Sequence, residues 1–124
     1  MRAAAKPNPL ERDRVRAILE FLQAKYPQWL WVRVEPAGAV RARAYRGRGY
    51  AKKMPEDAWS DGVADVLGMR KGHDSIAFEV KSRYGRQRDS QIDFESRFND
   101  KAGSYYIVHD LDEVEQAMEE MGYG

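Results

Sequence analysis

Apolar residues recur along this chain at two spacings. Between Leu10 and Lys25 the positions Val15, Ile18, Leu19 and Leu22 fall three and four apart, which puts them on one face of a helix. Pro7 and Pro9 before this run and Pro27 after it are the expected helix punctuation. Trp31 to Glu35 and Val40 to Arg46 read as a hairpin, in which Val40, Ala42 and Ala44 alternate with Arg41 and Arg43. Gly47 to Asp61 has no period and is rich in glycine and charge, so it reads as a loop. Gly62 to Met69 and Ser75 to Ser82 read as strands joined by the polar turn Arg70-Lys71-Gly72-His73-Asp74. In the second of these, Ile76, Phe78 and Val80 share one face, and Glu79 and Lys81 share the other. Arg88-Asp89-Ser90-Gln91 opens a helix carrying Ile92, Phe94, Glu95 and Phe98, with Asp89 as its expected cap.

Ser104 to His109 is the last strand. Its run Tyr105-Tyr106-Ile107-Val108 suits a strand covered on both faces. Asp110 caps a final helix, Leu111 to Met121. The order is helix, strand, strand, loop, strand, strand, helix, strand, helix. It predicts an α/β arrangement in which helices flank a mixed sheet.

Length and composition narrow this picture. A chain of 124 residues suits one domain, residues 1–124, with a modest core. It has no internal repeat, low-complexity tract or linker. The absence of cysteine excludes disulfides and thiolate metal sites and suits a reducing cytoplasm. No stretch approaches the roughly 20 apolar residues of a membrane span. The amino terminus has no apolar core of a secretory signal.

The chemistry concentrates in Asp65 and in Glu79-Val80-Lys81. An antiparallel hairpin brings Asp65 back alongside Glu79, so both carboxylates can meet one cation. Mg²⁺ or Mn²⁺ suits such a pair, because Mg²⁺ takes one or two protein carboxylates and keeps several waters. The carbonyl of Val80 is a candidate third ligand. Lys81 is a compact ammonium fit to orient water or to offset charge. A hard divalent ion beside a lysine is the equipment for hydrolysing a phosphodiester. Glu-X-Lys by itself is also an ordinary solvated charge pair on a strand.

The ordered set has a further meaning. Asp65…Glu79-X-Lys81 resembles the core of the PD-(D/E)XK nuclease superfamily. Gly62-Val63-Ala64-Asp65-Val66-Leu67-Gly68, Phe78-Glu79-Val80-Lys81-Ser82, Gly85 and Gln91 resemble its VRR-NUC branch, whose small stand-alone members include many from bacteriophages. Ala64 departs from the pattern, where the family usually has proline. The resemblance covers about Glu11 to Val114 and implies a restriction-endonuclease-like core. It implies a supporting amide at Gln91 beside the lysine and a first-helix glutamate at the metal. Glu11 lies on the inward stripe of that helix, whereas Glu20 is about 200° around from Ile18 and faces water. Glu11 also suits the first turn of a helix simply as an acidic residue.

Charge adds a substrate. The net charge is only +1, but Arg33, Arg41, Arg43, Arg46, Arg48, Lys52 and Lys53 are opposed within their segment by Glu35 alone. Six acidic residues and no basic ones follow from Asp110 to the end. A basic band suits a polyanion, and Tyr45 and Tyr50 within it suit stacking on exposed bases. The expected DNA contacts are Arg41, Arg43, Arg46, Arg48, Lys52, Lys53 and Tyr50. Asp57 and Asp61 have no spacing that selects them as ligands. His73 and His109 lack partners at ligand spacing and read as structural or exposed.

The expected function is a Mg²⁺- or Mn²⁺-dependent DNA endonuclease with Asp65, Glu79, Lys81 and Gln91 as its catalytic set. The resemblance implies structure-selective cutting, including of four-way junctions, by a homodimer. The competing classes are an inactive nucleic-acid-binding module and an exonuclease or RNase on the same scaffold.

Overall fold

The computed structural model describes residues 9–34 and 62–123. The expected strand Val40 to Arg46 and the loop after it lie outside the described residues. Helix α1 spans Pro9–Lys25. Proline suits its start, where a missing N–H costs no intrahelical bond. Val15, Ile18 and Leu22 are its buried stripe. Pro27 follows two residues after its end.

Strands β1 (Leu30–Arg33), β2 (Val66–Met69), β3 (Ser75–Val80) and β4 (Gly103–Val108) form a sheet in that order. The β1–β2 and β2–β3 pairs are antiparallel, and β3–β4 is parallel. Helix α2 (Asp89–Lys101) makes the crossover that a parallel pair requires. Helix α3 is Leu111–Glu120, and Asp110 caps it by accepting from the Glu113 N–H at 3.0 Å. The expected mixed sheet with flanking helices is therefore present among the described residues. No described helix is long and apolar enough to cross a membrane.

The two faces of the sheet are covered unequally. Val66, Ile76, Phe78, Val80 and Val108 join the stripes of α1 and α3 in the main core. Trp29, Trp31 and Phe78 continue it as a ladder of rings, with centroids 5.7 and 6.3 Å apart. The opposite face is smaller, where Ala64, Ala77 and Tyr105 pack with Phe94 and Phe98 of α2. β3 is buried on both faces between β2 and β4, although its alternation of apolar and charged residues reads as a two-faced strand. Expectation exceeded burial in β4, where Ile107 is 38% exposed beside the Glu79 position.

Two sequence expectations need correction. The segment entering β2 is irregular up to Asp65, and strand begins only at Val66. β1 pairs with β2 along one edge, and its expected hairpin partner lies outside the described residues. Arg88, not Asp89, is the N-cap of α2. The Gln91 side chain accepts the Arg88 N–H, the bond a capping box makes from the third helical residue back to the N-cap, and so ties the start of the helix to Arg88.

Candidate active site

The β2–β3 register pairs Val66 with Phe78 and Leu67 with Ala77. Carried back one residue, it sets Asp65 across from Glu79, the juxtaposition the sequence predicts. Where the ladder ends, the Asp65 carboxylate takes over. Its Oδ2 accepts the Val80 N–H at 2.7 Å. Val80 uses neither main-chain group toward β4, because Val108 accepts from the Lys81 N–H instead at 2.9 Å. The N–H and C=O of one strand residue point the same way, so the Val80 carbonyl is turned toward Asp65.

Glu79 is 2% exposed. Its Oε2 accepts from Gln91 Nε2 at 2.7 Å and lies 3.5 Å from Lys81 Nζ. Its Oε1 has no hydrogen-bond partner among the described residues. Gln91 is the joint of the site. Its Oε1 accepts from Lys81 Nζ at 3.0 Å and from the Arg88 N–H at 2.8 Å, which fixes the orientation of the amide. One glutamine therefore binds the glutamate, the lysine and the start of its own helix.

The electrostatics follow from burial and like charge. Desolvation, then the Asp65 carboxylate, pushes the Glu79 carboxyl up to about 7, against the pull of Lys81. Burial also raises Asp65, and Glu11 adds to the rise; the Val80 N–H, Lys81 and Arg33 oppose it. Glu11 is half-buried and close enough to act on both carboxylates. Among the described residues, though, no three His, Cys, Asp or Glu side chains are gathered as a ready metal cluster. The groups that could hold an ion are the pair Asp65 and Glu79 with the Val80 carbonyl. A buried carboxylate oxygen without a donor, beside a second carboxylate, fits a hard divalent cation.

A close approach makes this assembly possible. Gly62 has φ +82°, and a Cβ there would lie 2.1 Å from the Ser90 carbonyl oxygen. Only glycine lets the segment entering β2 rest on the first turn of α2, which brings Asp65 and Gln91 to one place.

Arg41, Arg43, Arg46, Arg48, Lys52, Lys53 and Tyr50 lie outside the described residues, as do Tyr45, Asp57 and Asp61. Arg33, at the end of β1, is the member of the basic band that is described. The two histidines have structural surroundings. His73 packs 5.6 Å from the rings of Trp29 and Tyr123, and His109 Nδ1 lies 2.9 Å from Glu113 Oε1.

Sequence reasoning missed two residues beside the site. Gln87 Nε2 donates to Glu95 Oε1 at 3.0 Å and to the Tyr105 hydroxyl at 3.3 Å. Burial and the nearby Glu79 push the Tyr105 hydroxyl well above its ordinary range. The apolar run gave Tyr105 away as a core residue, but nothing local marks Gln87. Comparison of the chain with protein-family models, with curated proteins and with solved structures returned no match.

Proposed function

We propose that this protein is a Mg²⁺- or Mn²⁺-dependent endonuclease that hydrolyses DNA phosphodiesters and selects its target by structure. The observation that carries this reading is the Asp65–Glu79–Gln91–Lys81 constellation, in which a buried carboxylate oxygen has no donor among the described residues. Asp65, Glu79 and the Val80 carbonyl would hold the ion, with Glu11 brought in by modest movement of its side chain. Such an ion, when bound, offsets charge on the phosphoryl and leaving oxygens and makes water more acidic.

The chain's own groups do the rest. Lys81 is 14% exposed at its side chain, so its ammonium acts in a partly dry site and can orient water toward phosphorus. Water forms the new P–O bond as the bond to the leaving oxygen breaks. Gln91 holds the ammonium and Glu79 in register. The resemblance to the VRR-NUC branch supports the same roles, and the four-stranded mixed sheet is compatible with a restriction-endonuclease-like core. Cutting both strands of a junction by so small a chain suits a symmetric pair of copies.

Labelled four-way junction, flap and linear duplex DNA, incubated with Mg²⁺, Mn²⁺ or EDTA, provide the test. Metal-dependent cutting by the wild type and its loss in Lys81→Ala are expected, and the three substrates then rank the preference for structure. Binding without cutting under every condition would replace the nuclease by a binding module.

A further inference from the structure

The link from β3 to α2, residues 81–88, carries Lys81, Arg83, Arg86 and Arg88 and no acidic residue. The three arginines are exposed, and among the described residues none of them pairs with a carboxylate. Between them stands Tyr84, 89% exposed. A tyrosine ring usually finds apolar cover.

This link is not loosely tethered. Its first residue donates to Val108, and a turn closes from Gly85 N–H to the Ser82 carbonyl at 2.9 Å. Gln87 fastens its far end to α2 and β4, and the Arg88 N–H is held by Gln91. The Tyr84 ring is therefore presented to solvent from a segment pinned at both ends. Those pins are Lys81 and Gln91 themselves, so the link abuts the candidate active site.

We propose that residues 83–88 bind a single-stranded stretch of DNA, with Tyr84 stacked on an unpaired base and the arginines on neighbouring phosphates. Guanidinium groups interleaved with an open aromatic face match a polynucleotide backbone and its bases. A duplex offers no free base face at such a ring, so the unpaired strand is the ligand that uses both features. This segment is separate in sequence from the basic band between Arg33 and Lys53. It deepens the nuclease reading, on which it rests for the destination of the strand, by placing unpaired nucleotides next to the scissile position.

Fluorescence anisotropy in EDTA tests the site without any cleavage. The probes are a labelled oligothymidylate and a duplex of the same length, titrated at several salt concentrations. Tyr84→Ala should weaken single-strand binding by about fivefold to a hundredfold, the range expected for loss of one base–aromatic stack. Duplex binding should be unchanged, and Tyr84→Phe should retain the wild-type affinity. Arg83→Ala with Arg86→Ala should lower the slope of log affinity against log salt by roughly 0.7 per arginine. These side chains are exposed, and circular dichroism confirms that each variant is folded.

The proposal is overturned if the wild type does not bind the single strand, if Tyr84→Ala binds it as well as the wild type, or if that variant weakens both probes alike. An unaltered salt slope in the double variant would overturn the arginine contacts. Its failure is distinguishable from failure of the nuclease reading. A protein that cuts with Mg²⁺ but ignores Tyr84 refutes the binding site alone. One that binds through Tyr84 and never cuts refutes the nuclease alone.

Discussion

The two oxygens of Glu79 have unequal surroundings: one meets Gln91 and Lys81, and the other meets no donor among the described residues. A carboxyl so placed is easier to bury protonated than charged. Its folded-state value of about 7 lies above the ordinary 4.5, so the folded protein holds this proton more tightly than the unfolded chain does. The resulting stabilisation is complete below pH 4.5 and is lost as pH rises through 7. The gap corresponds to about 3 kcal/mol. Glu79→Gln has no such proton to lose. In EDTA, the stability of wild type relative to this variant should therefore fall by that order between pH 4.5 and 8, measured by urea unfolding. Parallel profiles for the two proteins would contradict it. At this scale the sequence exposes residue type and alternation, which is why Asp65, Glu79 and Lys81 were legible. The triangle through Gln91 was legible only in part, because spacing does not tell which way an amide on the next helix points. Gln87 was invisible, since both of its partners arrive through tertiary packing.

Among the elements, the close contact between the entry to β2 and the start of α2 sets the site. Gly62→Ala would force a left-handed backbone on alanine and drive its Cβ into the Ser90 carbonyl. The backbone conformation alone costs about 1 kcal/mol or more, and main chain on both sides leaves little room to relax. A loss of at least 2 kcal/mol in chemical denaturation is expected, since strain and overpacking add (each about 1–3 kcal/mol). Weaker metal binding should accompany it as Gln91 is displaced. Gly68 supports a different contact, because a Cβ there would lie 2.2 Å from the Trp31 ring, beneath the aromatic ladder. Both glycines stand in the sequence as turn or family residues, and neither announces the atom it must avoid. The hairpin register was readable because a shift by one residue would turn Phe78 out of the core and Glu79 into it. Asp89 is the better cap by residue type, but the bond from the Arg88 N–H to Gln91 starts the helix one residue earlier, with Arg88 as its cap.

Across the whole molecule, the residues of the candidate site come from positions distant in sequence: Asp65 before β2, Glu79 and Lys81 at the end of β3, and Gln91 on α2, with Glu11 of α1 close enough to act on both carboxylates. They share a site only when α1, the sheet and α2 are all in place. A divalent ion that needs Asp65 and Glu79 together would therefore find its ligands dispersed in the unfolded chain. Such an ion acts as a thermodynamic clamp on the whole fold, because a ligand that binds the native state alone adds RT ln(1 + [L]/Kd), about 2.7 kcal/mol at a hundredfold excess over Kd. Saturating Mn²⁺ or Mg²⁺ should raise the melting midpoint of the wild type, while Asp65→Asn with Glu79→Gln should melt at the same temperature with or without the ion. An ion held as proposed would tie the protein's heat resistance to the divalent-ion content of its surroundings, whether or not a substrate is present.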